Sequence, residues 1–162
     1  MTAERTATVV TVSDGVSAGT REDAAGPAVA ALLQGAGFTV DRALVADDRA
    51  AIASVLRRLA DDEDRRVVVA TGGTGLGPRD VTPEATADVV ERPVPGLAEA
   101  MRAAGRAITP RADLGRGVCG VRGRTLIVDL PGSPKGATES LAAILDLLGH
   151  AADLLEGDTE HR

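Results

Sequence analysis

Four short runs rich in β-branched residues, spaced by stretches with a helical repeat, constrain this chain more than any other feature. Ala7 to Val12 (ATVVTV), Phe38 to Val45, Val67 to Ala70 and Thr125 to Leu130 (TLIVDL) are each bounded by turn or charged residues. Short apolar runs of this kind read as strands buried within a sheet. Between them, Ala24 to Ala36 and Arg49 to Leu59 place apolar residues at three- and four-residue spacings with polar residues opposite, the pattern of amphipathic helices. Strand, helix, strand, helix, strand predicts a parallel sheet covered by helices.

The second half carries sharper punctuation. Thr82-Pro83 and Ser133-Pro134 each have the form of an N-cap followed by proline at the first helical position, so helices are expected to start there, the second running to about Leu155 with a break at Gly149. Gly96 to Ala107 is another helix candidate. Gly117 to Val121 and Thr125 to Leu130 flank Arg122-Gly123-Arg124, which predicts a hairpin and one strand antiparallel to the rest. With 162 residues the chain fits a single domain, taken as 1–157, followed by a polar tail at 158–162.

Composition narrows the function classes. No stretch approaches the roughly eighteen consecutive apolar residues of a membrane span, and Met1 to Thr8 lacks a signal-peptide pattern, so a cytoplasmic protein with no membrane partner is expected. The net charge is −6 and Phe38 is the only aromatic residue, which leaves neither a global attraction for nucleic acid nor a stacking platform for its bases. An anionic substrate must therefore be held locally, by backbone amides, a few cations or a metal ion. Cys119 is the only cysteine, so no intrachain disulfide forms, and a buried packing role is expected for it.

The most informative loop is TGGTGLGPRDVTPEAT, Thr71 to Thr86, which has four glycines in six residues after a strand and before a helix. Such a loop can turn several N–H groups toward a phosphate or carboxylate, and the helix N-terminus adds partial positive charge. It is neither a Walker loop, since no G-x-x-x-x-G-K-[ST] string occurs, nor a dinucleotide fingerprint, since Pro78 stands at the third glycine position. Ser13-Asp14, Ala46-Asp47-Asp48 and Pro131-Gly132-Ser133-Pro134-Lys135 follow the other strands. Ligands of open α/β sheets bind outside the carboxyl ends of the strands, so these loops predict one composite site. Asp48 and Ser133 read as helix caps. Asp14, Asp47 and Asp80 are carboxylates suited to Mg²⁺, which commonly uses one or two acids plus substrate phosphates, and phosphoryl or nucleotidyl transfer is the matching chemistry. Catalytic zinc is disfavoured, because the only histidines, His150 and His161, lie far from these loops in sequence.

TVSDGVSAG (11–19), GGTGLGPRDVTPEAT (72–86), ERPVPGL (91–97), ITPRADLGR (108–116), GVRGRTLI (120–127) and LPGSPK (130–135) together resemble the Mog and MoaB proteins of molybdenum cofactor biosynthesis and the corresponding domain of gephyrin and its plant counterpart. The resemblance covers nearly the whole chain. It implies a three-layer α/β/α sandwich, usually a homotrimer, that binds molybdopterin. In catalytic members Mg²⁺-ATP adenylylates molybdopterin with release of pyrophosphate, and a MoeA-type molybdenum insertase is a possible partner. By the same resemblance Asp47 and Asp80 are the catalytic aspartates and the Mg²⁺ ligands, while Ser13, Asp14, Gly72, Gly73, Thr74, Gly75, Arg79, Thr82, Glu84, Pro131, Gly132, Ser133 and Lys135 belong to substrate-binding loops. Many relatives have L-S-R where this chain has Leu114-Gly115-Arg116, so one hydroxyl contact is missing here. Two alternatives remain open at this stage: a MoaB-type binding or scaffold protein without turnover, and a CinA-like nucleotide hydrolase.

Overall fold

The computed structural model describes residues 4–158. His161 and most of the expected tail lie outside the described residues.

Six strands form one sheet in the order β2-β1-β3-β6-β5-β4: β1 is Thr6–Val12, β2 Thr39–Val45, β3 Val67–Thr71, β4 Arg92–Pro93, β5 Cys119–Arg122 and β6 Thr125–Leu130. β2, β1, β3 and β6 are parallel, whereas β5 and β4 add an antiparallel edge through the expected hairpin. The helices are α1 (Asp14–Ser17), α2 (Ala25–Gly35), α3 (Arg49–Arg57), α4 (Thr82–Val89), α5 (Pro95–Arg106) and α6 (Pro134–Leu155).

Period-two alternation along the central strands sorts their side chains into two cores. Ala7, Val9, Val67, Val69, Leu126 and Val128 face α2, α5 and α6 and pack on Val29, Leu33, Met101, Leu141 and Ile144. Val10, Val12, Val68, Ala70 and Ile127 face α3 and α4 and pack on Ile52, Leu56, Ala85 and Val89. The result is the three-layer α/β/α sandwich. Because α2 crosses on one face and α3 on the other, β2 and β3 end up on opposite sides of β1. The gap between the carboxyl ends of β1 and β3 is thus a topological switch point, where ligand crevices form.

Four local expectations need correction. The strand read as buried over Phe38 to Val45 is β2 at the edge of the sheet, largely exposed, with only Val45 of its residues buried. The helix expected over Arg49 to Leu59 is α-helical only to Arg57 and finishes in one π-helical turn, Arg58–Asp62. α6 runs unbroken through Gly149, and that glycine makes room for a side chain: a Cβ there would lie 2.7 Å from Arg5 Nη1, whose guanidinium pairs with Asp153 on the same helix. Thr82 is not an N-cap. The cap position is Val81, with no side-chain bond, and the buried Thr82 hydroxyl instead donates to the Gly72 carbonyl at 2.8 Å. The short α1, the two-residue β4 and a 3₁₀ turn at Pro110–Leu114 had no periodic signal to announce them.

Candidate active site

The loops that follow β1, β2, β3 and β6 converge on one open cleft of about 970 Å³. Gly72 and Gly73 leave β3 with φ of +109° and +67°, values that ordinary side chains rarely adopt. A Cβ on Gly72 would lie 2.2 Å from the Val12 carbonyl oxygen, and one on Gly132 would lie 3.2 Å from the Gly72 Cα. The loops after β1, β3 and β6 therefore touch backbone to backbone. Two bonds fasten the β3 and β6 ends: Gly72 N–H donates to Leu130 O at 3.1 Å, and Thr71 Oγ1 donates to Pro131 O at 2.7 Å.

The loops after β1 and β2 are locked by a reciprocal pair. Asp14 N–H donates to Asp47 Oδ2 at 2.8 Å and Asp47 N–H donates to Asp14 Oδ1 at 3.0 Å. Arg79, from the tip of the glycine loop, donates to both oxygens of Asp14. Asp47 stands beside Gly73, where a Cβ would meet its Oδ1 at 2.9 Å, so the glycine keeps this carboxylate in place. Asp80 turns back on its own loop and accepts from Gly77 N–H through Oδ2 at 2.9 Å. Each of these two aspartates, both in the cleft lining, thus commits Oδ2 to a backbone N–H and leaves Oδ1 without a hydrogen bond.

Of the residues named from the sequence, Ser13, Asp47, Gly72, Gly73, Thr74, Gly75, Asp80, Pro131, Gly132 and Ser133 line the cleft. Ser13 and Ser133 also cap α1 and α6 by accepting from Val16 and Gly136 N–H. Asp14, Arg79, Thr82, Glu84 and Lys135 are outside the lining. Asp14 and Arg79 hold each other, Thr82 is buried under Gly72, and Lys135 extends into solvent with Glu139 3.9 Å away. Glu84 pairs with Arg116, whose hydrogen bond holds its carboxyl below the usual glutamate range.

Arg116 organises the glycine loop. Its guanidinium donates to the carbonyls of Gly75 (2.8 Å) and Asp80 (2.9 Å) as well as to Glu84, and its own N–H donates to Thr74 O. The loop is closed into a ring around one cation. Sequence reasoning gave this residue no role, although it stands in the ITPRADLGR string. Asp129 was also overlooked, as the lone acid in an apolar strand. It faces α4, accepts from the Thr86 hydroxyl (2.7 Å) and Val118 N–H (3.1 Å), and burial pushes its carboxyl up to about 7 against those two bonds. Cys119 is buried, which pushes its thiol up to about 12 and leaves it unreactive. No group of three or more metal-ligating residues occurs among the described residues, and no described helix is long and apolar enough to cross a membrane.

Residues 8–150 match the protein family described as "Probable molybdopterin binding domain". The chain is 37% identical to the molybdopterin adenylyltransferase of Helicobacter pylori, across 93% of this chain and 87% of that protein. It is 39% identical to the molybdenum cofactor biosynthesis bifunctional protein of Synechococcus elongatus, of which it spans about half (47%). Among solved structures, the molybdopterin biosynthesis enzyme MoaB of Thermus thermophilus superposes with a TM-score of 0.89 at 51% identity, covering 94% of this chain and 96% of that one.

Proposed function

The chain belongs to the molybdopterin-binding domain family, and from that premise we propose that it is a molybdopterin adenylyltransferase of molybdenum cofactor biosynthesis. An oxygen of the molybdopterin phosphate attacks the α-phosphorus of ATP, the bond to pyrophosphate breaks, and adenylylated molybdopterin is left. The observation that carries the reading is the cleft at the switch point, where a positive-φ glycine loop lies between two carboxylates that each keep one oxygen free.

That donor set fits Mg²⁺, which takes one or two carboxylates together with substrate phosphates, so Asp47 and Asp80 are the residues that would hold it. When bound, the ion neutralises charge on the phosphates. The chain's own groups do the positioning. Arg116 holds the Gly75 and Asp80 carbonyls, the Asp14–Asp47 pair holds the second carboxylate, and Ser13, Gly72 to Gly75, Pro131, Gly132 and Ser133 shape the substrate walls. Arg79, Asp14, Thr82, Glu84 and Lys135, outside the lining, act on substrate through those loops. The working unit is the single domain 1–157 in a cytoplasmic homotrimer, handing its product to a MoeA-type insertase.

Pyrophosphate release from Mg²⁺-ATP, measured with and without molybdopterin, tests the reading. Release only in the presence of molybdopterin is expected. Pterin binding without release would instead favour a binding or scaffold protein without turnover. Hydrolysis of nucleotide without molybdopterin would overturn both.

A further inference from the structure

The cleft lining holds five carboxylates, Glu22, Asp23, Asp47, Asp80 and Glu139, and two cations, Arg21 and Arg111. A phosphate-bearing ligand entering such a cleft meets net repulsion unless those two cations face it.

The rest of the molecule shows how unusual their state is. Among the described residues, every arginine except Arg21, Arg92 and Arg111 gives its guanidinium to a carboxylate or a carbonyl. Two of these three arginines, Arg21 and Arg111, line the cleft, and the third, Arg92, lies on the edge strand β4 away from it. Their backbones are nevertheless fixed. Arg21 N–H donates to Gly15 O at 3.1 Å, closing the turn after α1, and Arg111 N–H is capped by Thr109 Oγ1 at 3.3 Å at the start of the 3₁₀ turn. An anchored stem with an unpaired head is the arrangement that binds an incoming anion without first breaking an internal ion pair. A guanidinium fork suits a phosphate, because it donates two N–H bonds at once to the phosphate oxygens.

We propose that Arg21 and Arg111 form a phosphate-binding subsite of the cleft, supplied by two different loops and separate from the glycine loop. The inference rests on the adenylyltransferase reading for its ligands, which are the phosphates of ATP or the phosphate of molybdopterin. Charge-assisted bonds to a phosphate predict a loss of affinity of about tenfold or more for each guanidinium removed.

The test is calorimetric titration of the full-length protein with Mg²⁺-ATP and, separately, with molybdopterin. The proteins compared are wild type, Arg21→Gln, Arg111→Gln, the double variant, and Arg92→Gln, which removes the same charge outside the cleft. All three sites are exposed, so the variants should fold, and unchanged melting temperatures confirm it. Weakened binding in the double variant with normal binding in Arg92→Gln supports the subsite, and the titration that weakens identifies whose phosphate it holds. Wild-type affinity for both ligands in the double variant overturns the subsite while leaving the adenylyltransferase reading intact. A wild-type protein that binds neither ligand overturns the reading on which the subsite rests.

Discussion

At the amino-terminal ends of β3 and β6, arginines and acids are matched one against another. Arg66 pairs with Asp64 and Glu156, Arg124 with the same two acids, and Arg65 with Asp41 and Glu63. Around the cleft at the other end of the sheet, Asp47 and Asp80 accept from backbone N–H groups and pair with no cation, while the guanidinium groups of Arg21 and Arg111 have no partner among the described residues. The residue types are the same and their use is opposite. Ion pairs closed on themselves tie α6 to the sheet and have no bonding capacity left over. Acids held by amides and cations held only by their backbone keep that capacity for a ligand. Arg116 stands between the two modes, since it is spent internally, yet on the carbonyls of the loop that forms the site.

The difference can be broken or sharpened by substitution. The largest effect is expected for Asp80→Asn. The asparagine carbonyl can still accept from Gly77 N–H, so the loop and the stability should survive, while pyrophosphate release falls roughly 10²- to 10³-fold with the loss of the charge. Near-wild-type turnover in Asp80→Asn would sink the assignment. The mirror experiment is Arg66→Ala at the opposite end. Its side chain is only 10% exposed, and removing it leaves Arg124 as the one remaining cation for Asp64 and Glu156, which is predicted to cost about 2 kcal/mol in denaturant unfolding, with kcat unchanged. Lost turnover at unchanged stability would mean that the two ends are not divided in this way.

Asp129 belongs to neither group, because it is fully enclosed and has no cation partner. Its folded carboxyl lies near 7 and its ordinary value is 3.8, so the folded chain keeps the proton over a range where the unfolded chain has lost it. Its contribution to stability is then complete below about pH 4 and is lost as pH rises through about 7, with a slope of at most about 1.4 kcal/mol per pH unit. Asp129→Asn imitates the protonated acid, and unfolding measured from pH 4 to 8 should show that slope flattened. An unaltered profile would show that the acid is already ionised across the range. The smallest effect is expected for Asp48→Ala, which removes the side chain accepting from Ala51 N–H at the start of α3. It should cost about 1 kcal/mol and leave turnover intact. A large loss of activity would place Asp48 in the site beside Asp47.

How much of this was legible in the chain depends on the range of the interaction. The buried strands β1, β3 and β6 were marked by β-branched runs, and the caps at Asp48 and Ser133 by residue type, because each is decided within a few residues. Thr82 misled for the same reason. Thr-Pro is a local cap signal, but the hydroxyl found a better-placed acceptor at Gly72, ten residues away, once the glycine loop had folded over it. Gly149 looked like a helix break, and its meaning depended on Arg5 at the other end of the chain.

The sequence by itself determined the α/β layering, the position of the glycine loop and the acids at the strand ends, because backbone propensity and hydrophobic period act locally. Only the tertiary structure decided which charges are spent and which are left over. Arg116 and Arg21 are the same residue type in the sequence. One is consumed by three acceptors brought from residues 75, 80 and 84, and the other is left facing a cleft, since a charge's partner is set by which loops the sheet order brings within hydrogen-bond reach.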